Sequence, residues 1–234
     1  MPDMPRRSAA AVAETRSAVT DAAVNRASVD GLEGLTIGGL AAEVEMRKSS
    51  VFSLFGSKEG LQRATLEAAI QQFRDEVWDP VADEAPGLPR LLALCDRWLS
   101  YHQREVLPGG CFITTASVEF DARPGLLRDA VAETTNRWLG VLEREAAIAI
   151  DAGELPPGTD PADVAFQLNA LAAAASYGFQ LSRDPEVFAR ARRSMRHTLG
   201  ADMNPVDGGA TADPGRPAGA RHSVRRRGDH RRGE

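Results

Sequence analysis

Lysine is almost missing from this chain. Its 234 residues include 28 lysines and arginines, and only Lys48 and Lys58 are lysine. Cysteine is equally scarce: Cys95 and Cys111 provide neither a disulfide framework nor the spacing of a zinc site. The four histidines, His102, His197, His222 and His230, form no i, i+4 pair, which argues against a metal centre. No apolar run reaches the roughly 18 residues of a membrane helix; the richest, over 168–181, is interrupted by Asn169 and Ser176. Arg6 and Arg7 precede an alanine-rich run, but Glu14 ends it too early for a signal peptide. No nucleophile–base arrangement or phosphate loop stands out. The expectation is a soluble, cytoplasmic protein with no catalytic residues, no cofactor, no metal and no membrane partner.

What is present suits a globular chain of one or two domains, with 43% hydrophobic and 26% charged residues. The net charge of −5 is unevenly placed. Residues 1–64 sum to zero, 65–202 carry −8, and 203–234 carry +3. An acidic middle repels nucleic acid, so any such binding belongs to an end.

Helical spacing dominates, broken by Gly/Pro clusters, and alternating strands are absent apart from ambiguous pieces such as 111–115. The expected class is all-α. A first helix is expected from Ala9 or Glu14 to Val29, with Val12, Val19, Ala22, Ala23 and Ala27 as a thin apolar face and Gly31 as its stop. Thr36 suits the N-cap of a short helix through Val44, and a second short helix spans 48–54. Ser57 caps a longer helix running to about Trp78. Further helices are expected over 91–102, 126–152, 160–181 and 184–200. Asp160-Pro161 and Asp184-Pro185 are strong helix starts: a capping acid followed by proline. The helix over 160–181 is apolar nearly all round, so it needs contacts beyond its own domain's edge. The division is a flexible arm over 1–12, a head over 13–61, a larger helical domain over 62–202, and a disordered Arg/Gly/Pro-rich tail over 203–234.

Two short helices joined by a three-residue turn, after a supporting helix, form a tri-helical helix-turn-helix unit that reads DNA. The second carries Arg47, Lys48, Ser49, Ser50 and Ser53, small polar and basic groups that suit a major groove, with Val51 and Phe55 as inward anchors. Around these residues the chain resembles the tetracycline-repressor (TetR) family of bacterial regulators. The resemblance runs from Arg16 to about Leu66 and is carried by Ala22-Ala23, Gly31, Gly34, Leu35-Thr36-Ile37, Leu40-Ala41, Phe55, Gly56-Ser57-Lys58 and Leu61. Beyond it, 85–200 has the size of the family's helical regulatory domain.

The resemblance implies a regulator, most often a repressor, that binds a palindromic double-stranded DNA operator as a homodimer and is released by a small molecule. It implies that Thr36 and Lys58 contact phosphate while Arg47, Lys48, Ser49 and Ser50 face the groove, with Phe52 at the DNA surface. Some positions depart from the family pattern. Glu45 replaces the usual turn glycine, at a cost of roughly 1 kcal/mol in a left-handed conformation. Phe52 replaces a tyrosine, Leu54 a histidine or tyrosine, and Gly38-Gly39 weakens the first reading helix. These departures predict a looser phosphate grip and a distinct specificity. Trp98, Phe112, Glu119, Phe120, Trp138, Phe166, Asn169 and Tyr177 are the candidate effector-binding residues, because an apolar cavity with a few polar groups orients a ligand. The small residues over 172–175, paired with the helix over 184–200 across a two-fold axis, suit a four-helix dimer interface. Cys111 qualifies as a redox sensor only if its thiol is exposed and of low pKa. The competing reading is a helical ligand- or protein-binding dimer whose head no longer binds DNA.

Overall fold

Capping acids, hydroxyls and glycines end the helices, and packing then selects the faces they bury. The computed structural model describes residues 9–201; residues 1–8 of the expected arm and the expected tail lie outside them. Among the described residues there are nine α-helices and no strand: α1 (Ala9–Gly34), α2 (Ile37–Glu43), α3 (Lys48–Phe55), α4 (Lys58–Phe73), α5 (Leu88–Gln103), α6 (Phe112–Phe120), α7 (Leu126–Asp151), α8 (Pro161–Ser182) and α9 (Glu186–Thr198). The all-α expectation holds.

Several ends follow from local chemistry. Thr36, Ser57 and Asp160 each accept a backbone N–H at a helix start, and the Asp184 carboxylate accepts that of Glu186 at 2.9 Å. Gly31, at φ 76°, breaks α1 where a stop was expected, but one more short turn follows as far as Gly34. The buried face of α1 differs from the expectation. Val12 is exposed, while Val24 and Leu32 join Val19, Ala23 and Ala27 in the core, because α1 packs against both α4 and α6. The ambiguous piece at 111–115 is the start of α6. The helix expected to reach Trp78 changes register at Phe73, passing through a π-helical turn (Arg74–Trp78) and a 3-10 turn (Asp79–Val81) with Pro80 inside it.

The head core is built on Leu35, Leu40, Val51 and Leu61, and the larger core on Leu91, Leu94, Leu99, Leu142, Leu168 and Phe188, all fully buried. One continuous apolar cluster joins them. α8 buries Val164, Ala165, Leu168, Ala172 and Ala175 yet leaves Phe166, Tyr177 and Leu181 exposed. No described helix is long and apolar enough to cross a membrane.

A buried ion pair holds the joint before α5. Glu145 of α7 lies within the core and accepts from the Arg90 guanidinium at 3.0 Å and from the Gly87 N–H at 2.9 Å. Arg90 also donates to the carbonyls of Ala82 and Glu84. Removing one partner strands the other charge without solvation. We therefore predict that Glu145→Ala destabilises the fold by about 3–5 kcal/mol, measured by urea unfolding, while substitution of the exposed Glu143 stays within about 0.5 kcal/mol.

Candidate nucleic-acid interface and effector site

Short-range hydrogen bonds define the head. The Thr36 hydroxyl accepts from the Gly39 N–H at 3.0 Å, and a Cβ on Gly39 would lie 2.9 Å from that oxygen. This glycine was read as a weakness of the helix; here it gives the cap room. In the α2–α3 turn Glu45 has φ 53°, the left-handed conformation usually taken by glycine. Met46 then bonds back to the Ala41 carbonyl at 2.8 Å. α3 buries Val51 and Phe55 and turns Lys48, Ser49, Phe52 and Ser53 outward, with Ser50 half-buried and Arg47 exposed just before it. Arg16 of α1 lies over the Phe55 ring, 4.7 Å from its centroid, and donates to the Leu54 carbonyl, bracing the end of α3. Among the described residues neither Arg47 nor Lys48 is engaged in an ion pair, so both charges face solvent.

Lys58 is placed differently. Its ammonium donates to the Glu33 carbonyl at 2.8 Å and to the Glu33 carboxylate at 3.0 Å. The hydrogen bond from Lys58 is the main reason the Glu33 pKa lies below its ordinary value. A phosphate at this helix start has to compete with Glu33.

In the larger half, the structure brings Trp98 of α5 and Trp138 of α7 edge to face, with centroids 5.1 Å apart. Phe73 of α4 meets Trp98 at 6.1 Å, Tyr101 at 5.6 Å and Trp138 at 5.1 Å. His102 packs on Tyr101 with 5.4 Å between ring centroids. Both indole N–H groups and both His102 ring nitrogens are buried without a hydrogen-bond partner in the protein. Burial lowers the His102 pKa to about 4, so the imidazole is neutral near pH 7. In the sequence His102 falls at helical spacing from Leu91, Cys95, Trp98 and Leu99, on the apolar side of its helix; nothing there signals Phe73, which arrives from another helix.

Phe112 and Phe120 are buried at opposite ends of α6, and Asn169 is half-buried on α8. Three effector candidates need correction. Phe166 and Tyr177 are 70% and 57% exposed, so they face away from any internal cavity of this chain. Glu119 is committed elsewhere: its carboxylate oxygens accept the Leu32 and Glu33 N–H groups, each at 2.8 Å. Cys111 is buried and desolvation pushes its thiol pKa up; Cys95 rises to about 12 for the same main reason. Neither meets the requirement for a reactive thiolate.

Residues 87–195 match the family described as the tetracyclin repressor-like C-terminal domain. Over that stretch, just under half of its length, the chain is similar to the tetracycline-repressor (TetR) family. No curated protein matches its sequence. Among solved structures, it is similar to a TetR regulator from Chloroflexus aurantiacus, with 24% identity, a TM-score of 0.73, and coverage of 81% of this chain and 94% of that one. A TetR regulator from Cytophaga hutchinsonii gives 21% identity and a TM-score of 0.71 over 81% and 94% of the two chains. AibR, solved with isovaleryl coenzyme A and operator DNA, gives 20% identity and a TM-score of 0.65 over 80% and 98%. At these identities the likeness establishes the fold, that of TetR transcriptional regulators.

The buried imidazole makes stability depend on pH. In the unfolded chain His102 takes up a proton near pH 6.5, whereas in the fold it does so only near pH 4. Its contribution is therefore complete above pH 6.5 and lost as the pH falls towards 4, about 3 kcal/mol in all. Urea unfolding between pH 4 and 7 should show this slope, and His102→Leu should flatten it.

Proposed function

We propose that the protein is a transcriptional regulator, acting as a repressor, that binds a palindromic operator as a homodimer and is released by a small molecule. The outward face of α3 carries this reading: Lys48, Ser49 and Phe52 lie together there, with Arg47 exposed just before them and half-buried Ser50 at the edge, while Val51 and Phe55 anchor the helix from behind. That arrangement supports the assignment of residues 13–61 to DNA reading, with Thr36 and Lys58 at the phosphates on either side.

Two features support roles for residues 62–202. Phe166, Ala170, Ala174, Tyr177 and Leu181 form an exposed stripe on α8 at helical spacing. Beside it, an open groove of about 510 Å³ between α8 and α9 includes Phe166, Ala170, Leu171, Arg193 and Ser194. Pairing these two helices with their copies would cover this face and set the separation of the two heads. For the effector, the unpartnered indole N–H groups of Trp98 and Trp138 favour a neutral molecule that bears hydrogen-bond acceptors, while the neutral His102 offers one donor and one acceptor nitrogen. An acceptor would relieve the roughly 1–3 kcal/mol that each unsatisfied buried donor costs.

Gel-shift with the intergenic DNA beside the protein's own gene tests the reading. The expected result is a discrete complex of two protomers per site. No complex at low salt, with or without an extract of metabolites, would overturn it. Arg47→Ala should cost about 1–3 kcal/mol and relax the preference at one base position. Phe166→Arg should yield a monomer in sedimentation equilibrium and lose palindrome binding while keeping its helical spectrum.

A further inference from the structure

The peptide groups of Leu32 and Glu33 are held from two sides. Their N–H groups donate to the Glu119 carboxylate of α6, each at 2.8 Å. Their carbonyls point the other way, to α4: the Leu32 carbonyl accepts from the Gln62 side-chain amide and the Glu33 carbonyl from the Lys58 ammonium, both at 2.8 Å. Gln62 is buried and also reaches the Glu33 carboxylate at 3.2 Å. Two consecutive residues therefore join α6 to the first turns of α4. Gly31 makes the junction possible. Its φ of 76° turns successive N–H groups towards one anion, and a Cβ there would sit 2.8 Å from a Glu119 oxygen.

α6 is in turn coupled to the rest of the domain. It buries Phe112, Ala116 and Phe120 in the core. The Cys111 N–H at its start donates to Ser176 of α8 at 3.0 Å. A shift of α6 relative to α1 would carry Glu119 with it. Losing these bonds would free Glu33, and Glu33 is the group that occupies Lys58. Arg123, in the turn after α6, adds a second positive charge near Glu33.

We propose that Glu119 is a positioning residue for DNA binding: by holding the Leu32–Glu33 segment it keeps the Glu33 carboxylate on the Lys58 ammonium, and so sets how far Lys58 is available to DNA phosphate. The proposal rests on the DNA-binding reading above, but its first test does not need DNA. Lys48 and Lys58 are the only lysines of the chain, so trace labelling of the full-length protein with acetic anhydride, read by peptide mass spectrometry, reports Lys58 against Lys48 as internal reference. In the wild type Lys58 reacts more slowly than Lys48. Glu33→Gln and Glu119→Gln each raise the Lys58/Lys48 ratio about two- to fivefold, as expected for loss of an exposed ion pair, with the Lys48 rate unchanged. A ratio in Glu119→Gln equal to the wild type overturns the proposal, whether or not the protein binds DNA. Glu33 is exposed, so its variant folds even if Glu119→Gln does not, and a Glu33→Gln ratio equal to the wild type overturns the proposal as well.

The second test is the salt dependence of DNA affinity. Both variants should bind mixed-sequence duplex more tightly at low salt, with a log–log slope steeper by about 0.9, the value for one added phosphate contact. Lys58→Met should abolish this difference. If the gain persists in the Lys58→Met background, it reflects only the removal of a negative charge, and the positioning role fails. If no form binds DNA, the functional reading fails and the labelling ratio alone decides the role of Glu119.

Discussion

Much of this molecule's organisation depends on the double hydrogen bonding of one dipeptide. Leu32-Glu33 has its N–H groups satisfied by an acid from α6 and its carbonyls satisfied by an amide and an ammonium from α4. A break after a long helix leaves backbone groups without intrahelical partners, and burying them unpaired is costly. The chain meets this requirement with side chains from both halves. The end of α1 is consequently a joint between α6 and α4 as well as a turn between helices.

Charge has the same local character. The net of −5 is the sum of a neutral stretch over 1–64, −8 over 65–202 and +3 over 203–234. Within the head, exposed Arg47 and Lys48 are distinguished from Lys58, which is already paired. The total charge carries little information about DNA. What matters is which cation has an internal carboxylate to compete with a phosphate, since a paired ammonium gains less from a new anion than a solvated one.

The local layer of the fold was readable in advance. Thr36, Ser57, Asp160 and Asp184 announce helix starts because their side chains satisfy the first free N–H groups, whatever the tertiary context. The limits of α7 and α8 lie within a residue or two of those expected, since both helices are bounded by clear starts and breakers. The outward set on α3 was also legible, because a short amphipathic helix anchored by Val51 and Phe55 has only one face left. Less was readable where a side chain's role depends on a distant element. The burial of charged Glu145 is explained only by Arg90 and Gly87, which reach it from the joint before α5. Phe73 joined the Trp98–Trp138 cluster only when α4 packed against α5 and α7. Phe166 and Tyr177 looked like cavity residues on an all-round apolar helix, yet packing left them outside.

The sequence by itself determined the all-α class, the starts of most of the helices, and the composition of α3, because these depend on interactions spanning four residues or fewer. Only the tertiary structure decided that Glu119 grips the backbone 86 residues before it instead of facing a ligand, that Lys58 is held by Glu33, and that two tryptophans and a histidine share a buried cluster. Hydrogen bonds and ring contacts at such separations are set by how helices cross, and crossing depends on every packed face at once. A carboxylate in the sequence shows that it can accept a hydrogen bond; only the fold shows which donor it meets.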